Sequence, residues 1–95
     1  MVASSFEKIE KENIEGLKFP NQDVLNSAEE IRKRQNDLER ALSLGNMEQI
    51  KIRIFFEDTQ SPKYVETTVW GVTDKRVILK QGVVIPINRI HFLEL

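Results

Sequence analysis

Apolar residues between Val24 and Leu42 recur at alternating steps of four and three, which is the pattern of one face of an amphipathic helix. Pro20-Asn21 supplies a break and a cap before this segment. Leu44-Gly45-Asn46 supplies a left-handed stop after it. The pattern therefore predicts a helix over about residues 22–44. The stripe consists of Val24, Ala28, Ile31, Gln35, Leu38 and Leu42.

After the helix the apolar period changes to two, which is the signature of a strand with one buried face. The first strand is expected to begin after Gln49 and to bury one face, formed by Ile50, Ile52, Ile54 and Phe56. The alternate residues Lys51, Arg53, Phe55 and Glu57 are expected on the outer face. A loop that contains Ser61-Pro62 follows it. The segment 64–72 is rich in Val and Thr and predicts a second strand, which should bend at its glycine.

Three more strands complete the pattern. Segments 76–80 and 83–87 are joined through Gln81-Gly82, which is a hairpin signal. Because Pro86 cannot donate a ladder hydrogen bond, strand pairing should break there. Pairing should resume in a fifth strand over residues 89–95.

These elements predict an α+β fold that is mainly β. Five short antiparallel strands in a chain of 95 residues cannot bury both faces as an open sheet, so closure into a barrel is the simplest arrangement. We therefore expect one domain over residues 22–95, in which the N-terminal amphipathic helix precedes a five-stranded antiparallel SH3-like or Sm-like barrel. Residues 1–20 are expected to form an arm or a short helix, because Ser4 and Glu7 have capping-box spacing and Phe19-Pro20 ends the pattern.

The order of helix and strands resembles small Sm-like and SH3-like barrels, as does the segment Val77–Ile90. The bacterial Rof family, whose members bind the termination factor Rho, is similar in the stretches Leu38–Ala41 and Ile87–Phe92. The chain departs from Rof-like proteins, which are more acidic, and lacks the glycine-and-asparagine signature of Sm and Hfq proteins. It also looks like a small bacterial family whose chemistry is not known. The resemblance covers residues 22–95 and implies a fold without assigning functional residues.

Charge and composition restrict the function. The formal net charge is −1, so the chain has no overall attraction for polyanions such as nucleic acids. Cysteine is absent, which removes disulfides, thiol nucleophiles and thiolate metal sites. Residues 1–19 have no uninterrupted apolar stretch that could form a secretory signal, so we expect a cytoplasmic protein without a membrane role.

Catalytic constellations are also missing from the sequence. The only histidine is His91, which we expect to be structural, so no Ser-His-Asp or multi-histidine site can form within one chain. The carboxylate pairs Glu29-Glu30 and Glu57-Asp58 diverge on helix and strand, and no phosphate-binding loop accompanies them. The basic run Arg32-Lys33-Arg34 is expected to be a solvated helix face. We expect no enzyme activity, no cofactor and no bound metal.

Two binding functions remain. Exposed strand edges, the outward Phe55 and a detachable N-terminal arm favour a protein-interaction or assembly module, with another protein or a second copy as its partner. The alternative is a regulatory module that binds RNA or single-stranded DNA, since small barrels stack bases on aromatic side chains while cations hold phosphates. Its candidate surface consists of Arg53, Trp70, Lys75, Arg76 and Lys80, with Tyr64 nearby.

Trp70 has two interpretations in the sequence. On the outer face it would be a stacking platform for bases. Alternatively it packs under the N-terminal helix, because a bent strand can be covered on both faces. The second interpretation is favoured, and the two differ in the exposure of the indole ring.

Overall fold

The computed structural model describes residues 5–95, so the predicted cap at Ser4 lies outside the described residues. These residues form one α-helix, seven strands and three short 3-10 turns. The helix is α1 (Ala28–Glu48). The strands are β1 (Glu7–Lys8), β2 (Ile52–Glu57), β3 (Pro62–Thr67), β4 (Val69–Val72), β5 (Arg76–Leu79), β6 (Val84–Pro86) and β7 (Ile90–Glu94). The 3-10 turns are Lys11–Asn13, Lys80–Gly82 and Ile87–Arg89.

The strands form two sheets, with the orders β1-β3-β2-β7 and β4-β5-β6. All pairs are antiparallel except β1 with β3, which is parallel. α1 contacts β4 in the second sheet and β7 in the first, so the helix covers one side of the space between the sheets. The apolar core fills this space. The α+β class is therefore confirmed.

The closed five-stranded barrel is not confirmed. Each of the five predicted strand segments is present, but the second is divided at Thr68, and β1 is an additional strand. The buried Thr68 lies against Gly45 of α1, and this contact coincides with the break between β3 and β4. Within residues 5–95, no strand of one sheet pairs with a strand of the other, so the strands do not form one continuous sheet.

Three local features follow the sequence closely. Ile52, Ile54 and Phe56 point into the core and are at most 2% exposed, which confirms the register predicted for the first strand. The prediction for Ile50 was wrong, because β2 begins only at Ile52 and Ile50 is 37% exposed. Gln81 and Gly82 both have positive φ in the turn between β5 and β6. Pairing breaks after Pro86 in a 3-10 turn and resumes in β7, as expected.

The predicted helix ends were wrong. α1 begins after Ser27, whose side chain accepts a hydrogen bond from the N–H of Glu30 and so caps the first turn. It continues past Gly45 and ends at Gln49, which has the left-handed conformation. The predicted stripe was wrong in part, because Ala28, Ile31 and Gln35 are exposed. The buried helix residues are Arg34, Asp37, Leu38, Ala41 and Gly45.

A basic residue thus lies in the helix interface where a solvated face was expected. Arg34 is 5% exposed, and its guanidinium donates two hydrogen bonds to the Asp23 carboxylate and one to the carbonyl oxygen of Ile90, each of 2.9 Å. These bonds hold the segment before α1 against β7. Within residues 5–95, the single α-helix is too polar to qualify as a membrane-spanning segment.

Candidate binding surfaces

Three aromatic rings form a row across the outer face of the first sheet. Phe55 of β2 pairs with Tyr64 of β3 on one side and with Phe92 of β7 on the other. The ring centroids are 5.0 Å apart for Phe55 and Tyr64 and 4.5 Å apart for Phe55 and Phe92, and both pairs are stacked. Cross-strand aromatic pairs of this kind stabilise a sheet. We call Tyr64, Phe55 and Phe92 the aromatic row.

The N-terminal residues cover the aromatic row. Phe6 makes edge-to-face contacts with Phe55 at 5.2 Å and with Phe92 at 5.8 Å. As a result Phe55, which was predicted to face solvent, is on the outer face but only 5% exposed. The N–H of Ile9 donates to the carbonyl oxygen of Tyr64 at 2.9 Å, next to the short β1 ladder. We call residues 5–9 the arm segment.

Charged residues flank the aromatic row on both sides. The register places Glu66, Arg53 and Glu94 in one line across the sheet, and an ion pair of 3.2 Å joins Arg53 to Glu94. On the other side, a carboxylate oxygen of Glu57 lies 2.9 Å from Nε2 of His91. Lys51 lines the same cleft as Arg53, Glu66 and Glu94, and Lys33 lines the cleft of Phe6, His91 and Phe92. The charges around the row are therefore mixed and largely paired.

A second surface lies on the outer face of the other sheet. Trp70 is 51% exposed, so the favoured prediction that it packs under the helix was wrong. The β4–β5 register shifts between Val69 and Gly71, so Trp70 is the extra residue of the bulge, and Gly71 lies opposite Ile78. Ile78 in turn pairs with Val84, which is 40% exposed. This small apolar patch is therefore open to solvent.

Four of the five predicted surface residues belong to this second sheet or to its turns. Lys75, Arg76 and Lys80 are exposed in β5 or in the turns that flank it, and none of the three forms an ion pair with any described residue. Lys75 and Arg76 also line a cleft with Asp23 and Arg34. Arg53 does not join them, because it lies in β2 of the first sheet and pairs with Glu94. We call Trp70, Lys75, Arg76 and Lys80 the tryptophan face.

One cleft has a volume of about 560 Å³ and is lined partly by Asp23, Arg34, Lys75 and Asn88. Two of these charges are paired with each other. Hydrogen bonds from Arg34 hold the pKa of Asp23 below its ordinary value, in spite of partial burial. Every described buried side-chain nitrogen or oxygen atom has a hydrogen-bond partner.

His91 contacts Glu57 of β2 and the ring of Phe6, at a centroid distance of 5.5 Å, and the second contact ties the arm segment to the sheet. In the described part of the chain, no three His, Cys, Asp or Glu side chains gather as metal ligands would. Asp58 is held by its own loop: burial raises its pKa, but hydrogen bonds from the Ser61 N–H and the Lys63 ammonium outweigh burial and lower it.

The sequence analysis named every residue of the tryptophan face but only part of the aromatic row. Phe55 was assigned to the outer face, but Phe92 and Phe6 were not linked to it, because their proximity depends on which strands pair. The alternation of β7 puts Phe92 and Glu94 on one face, and that was the available signal. Phe6 lies in a charged segment without any strand pattern.

Comparisons with known proteins add no identification. No protein-family model, no curated protein and no solved structure matches the chain. The resemblance to Sm-like and Rof proteins therefore stays a prediction. The function must be argued from the two surfaces.

Proposed function

We propose that this protein is a non-catalytic binding module for protein–protein interaction or assembly, and that the aromatic row is its binding surface. The proposal rests on the position of Phe55, Tyr64 and Phe92 on the outer face of the first sheet. The three rings do not belong to the apolar core cluster between the sheets. Aromatic residues are enriched at the centres of protein interfaces. Among residues 5–95, Phe6 is the ring that covers this row, and it comes from a segment with a two-residue strand.

The charges around the row are mixed and largely paired. Arg53 forms an ion pair with Glu94, and Lys51 lines the same cleft as Arg53 and Glu66. The row therefore offers no concentration of free cations for the phosphates of a nucleic acid, and it is suited to an apolar partner surface with a polar rim.

The strand order supports the SH3-like or Sm-like interpretation as part of this proposal. β7 returns to pair with β2, so the first and last of the five predicted strands are neighbours, as closure requires. We further propose a cytoplasmic location, which suits a chain without cysteine.

Variants of the two surfaces test the proposed function. The full-length chain would be compared with Phe92→Ser, which removes one ring of the aromatic row, and with the matched control Trp70→Ala on the other sheet. Sedimentation velocity over a concentration series measures self-association, and quantitative cross-linking in lysate measures capture of other proteins. We expect association or capture by the wild-type chain that Phe92→Ser loses and Trp70→Ala keeps. A monomer at all concentrations, with equal capture by all three proteins, would contradict the proposal.

The tryptophan face supports a second candidate, binding of RNA or single-stranded DNA with a regulatory role. The half-exposed indole of Trp70 offers a stacking platform, and the unpaired cations Lys75, Arg76 and Lys80 offer phosphate contacts. Because phosphate contacts release counterions, affinity should fall steeply with added salt.

Fluorescence tests this second candidate directly, since Trp70 is the only tryptophan. A mixed-sequence single-stranded RNA should quench its emission, and Arg76→Ala should weaken binding to most sequences similarly. Arg53→Ala is the matched control, because Arg53 lies on the other sheet. Absence of quenching at low salt, or binding that is independent of salt, would rule out this candidate.

A further inference from the structure

The cleft that Asp23 and Arg34 line has the size and construction of a small-molecule site. Its volume is about 560 Å³, and small-molecule sites typically measure ~300–1,000 Å³. Three segments form its walls: the segment before α1, the turn between β4 and β5, and the end of β6 with the 3-10 turn that follows it. The site is therefore built from parts of the chain that are distant in sequence.

Hydrogen bonds between the walls fix the shape of the cleft. The Ile87 N–H donates to the carbonyl oxygen of Lys75 at 2.9 Å, which joins the 3-10 turn to the β4–β5 turn. The side-chain amide of Asn88 donates to the carbonyl oxygen of Asn21, and the Val24 N–H donates to the carbonyl oxygen of Asn88. These two bonds join the 3-10 turn to the segment before α1. The walls are therefore preformed, as they are in most small-molecule sites.

Apolar side chains provide one part of the cleft. They are Phe19, Pro20, Pro86 and Ile87, and we call them the apolar wall. Phe19 and the two prolines are partly exposed, so they offer apolar surface to a ligand. The Phe19 ring is held by its contact with the buried ring of Phe56, at a centroid distance of 6.1 Å. A flat apolar ring would be removed from water against this wall.

Two of the five charged side chains in the cleft already satisfy each other. The Asp23 carboxylate accepts two hydrogen bonds of 2.9 Å from Arg34 and one of 2.8 Å from the Leu25 N–H. The bonds from Arg34 hold the pKa of Asp23 below its ordinary value, so the pair stays ionised and is neutral in sum. The other three charges, those of Asp74, Lys75 and Arg76, therefore decide what the cleft attracts.

These three charges sum to one positive charge. Lys75 and Arg76 are exposed and form no ion pair with any residue in 5–95, and Asp74 offsets only one of them. Glu15 lines the adjoining cleft with Arg76, but no ion pair joins the two. The Thr73 hydroxyl accepts hydrogen bonds from the N–H groups of Lys75 and Arg76, which fixes the turn that carries both cations. A guanidinium and an ammonium are groups that hold carboxylates and phosphates.

We propose that this cleft binds a small organic anion, whose carboxylate or phosphate is held by Lys75 and Arg76 and whose flat ring lies against the apolar wall. The cleft shares no residue with the aromatic row, so the inference goes beyond the proposed interaction function and does not depend on it. It shares Lys75 and Arg76 with the tryptophan face, but Trp70 and Lys80 do not line it. A nucleic-acid strand on that face would use all four residues, whereas a small anion in the cleft would use two.

The test titrates the full-length chain with two probes that carry the anion in different forms. Adenosine monophosphate supplies a phosphate, and naphthoate supplies a carboxylate. Adenosine, naphthamide and inorganic phosphate are the controls, because each lacks either the anion or the ring. Amide NMR shifts report the site. We expect saturable shifts in residues 19–23, 74–76 and 86–88 with at least one charged probe, and much weaker binding of the three controls.

Variants test the role of the two cations. Lys75→Gln and Arg76→Gln should each weaken binding of the probe about two- to fivefold, which corresponds to one solvent-exposed ion pair. The hydrogen bond from Ile87 to Lys75 uses a main-chain oxygen, so the substitution keeps it. Lys80→Gln is the matched control, because it removes the same charge at the other end of β5 and does not line the cleft. Trp70→Ala should likewise leave the affinity unchanged.

Three results would overturn the inference. The first is no saturable shift with either charged probe at about 10 mM, a concentration that would reveal a dissociation constant of about 1 mM. The second is binding of inorganic phosphate as tight as that of the charged probes, which would mean that the ring has no site. The third is an equal loss of affinity in Lys80→Gln, or shifts centred on Trp70, which would assign the probe to the tryptophan face. None of these results changes the outcome for Phe92→Ser, so the proposed function is tested separately.

Discussion

At the scale of single residues, the pair of Arg34 and Asp23 shows where sequence patterns stop being sufficient. The run Arg32-Lys33-Arg34 has no apolar character, and a solvated face was the reasonable prediction. Lys33 fits this prediction, since its side chain is 73% exposed. Arg34 does not fit it, because Arg34 is buried and donates hydrogen bonds to Asp23, which lies outside the helix, and to the Ile90 carbonyl. Periodicity within one helix cannot reveal partners supplied by distant segments.

The pair predicts a specific pH dependence. The pKa of Asp23 is lowered by hydrogen bonds from Arg34 in the folded state, so the ionised carboxylate favours folding at pH values above about 4, its ordinary pKa. That contribution is lost as the pH falls through the lower, folded-state pKa. Asp23→Asn should therefore cost about 1 to 3 kcal/mol at neutral pH, because the buried Arg34 loses a charged acceptor.

Denaturant unfolding across a pH series measures this effect. The difference in stability between the wild-type chain and Asp23→Asn should shrink as the pH falls below about 4, because the wild-type carboxylate becomes protonated as well. Glu29→Gln is the control, since Glu29 is exposed in the first turn of α1. A difference that stays constant down to low pH would mean that the pair does not act through its charge.

At the scale of elements, much of the secondary structure was predictable, and tertiary contacts explain the failures. The period of two located β2, and Pro86 located the break before β7, because both signals are local. β1 was missed, since Glu7 and Lys8 show no apolar alternation and pair only because β3 has a free edge. Gly45 was taken as a helix end, although α1 continues through it.

Gly45 is required for a close approach between α1 and β4. A Cβ atom at this position would meet the backbone oxygen of Val69 and the side chain of Thr68. Gly45→Ala should gain up to about 1 kcal/mol in helix propensity but lose more by pushing the helix off the sheet. We expect a net destabilisation of about 1 to 3 kcal/mol in denaturant unfolding.

Gly16→Ala is the matched control for this change. Gly16 has no heavy atom within 4 Å of the added Cβ, so the substitution should change stability by less than about 0.5 kcal/mol. Equal effects at the two glycines would show that the helix and β4 can separate without cost. In that case the contact of Gly45 with β4 would not explain why α1 keeps a glycine in its interior.

At the scale of the whole molecule, the two sheets present different surfaces. The first carries an aromatic row that is covered by Phe6 and surrounded by largely paired charges, and the second carries an exposed tryptophan and three cations that form no ion pair with a described residue. The sequence placed all five candidate residues in one group, but Arg53 belongs to the first sheet. Net charge could not reveal this division, because a sum over the chain has no spatial information.

The stability of the arm relative to the core decides whether the first surface can bind a partner. Truncating a core ring such as Phe56, which is fully buried, should cost about 3 to 5 kcal/mol. Phe6→Ala should cost only about 1 to 2 kcal/mol, although Phe6 is 8% exposed. The cost of Phe6→Ala cannot exceed the free energy of opening the arm. A folded chain with an open arm has already lost the contacts of Phe6, so the substitution does not destabilise that state further.

Denaturant unfolding of Phe6→Ala and Phe56→Ala, each compared with the wild-type chain, measures both costs. If Phe6→Ala is as costly as Phe56→Ala, the arm opens only when the whole domain unfolds, and no partner segment could displace it from a folded chain. If the cost is small, the arm is a separate opening unit on a stable scaffold. The aromatic row can then be exposed in a folded molecule, as displacement by a partner segment requires.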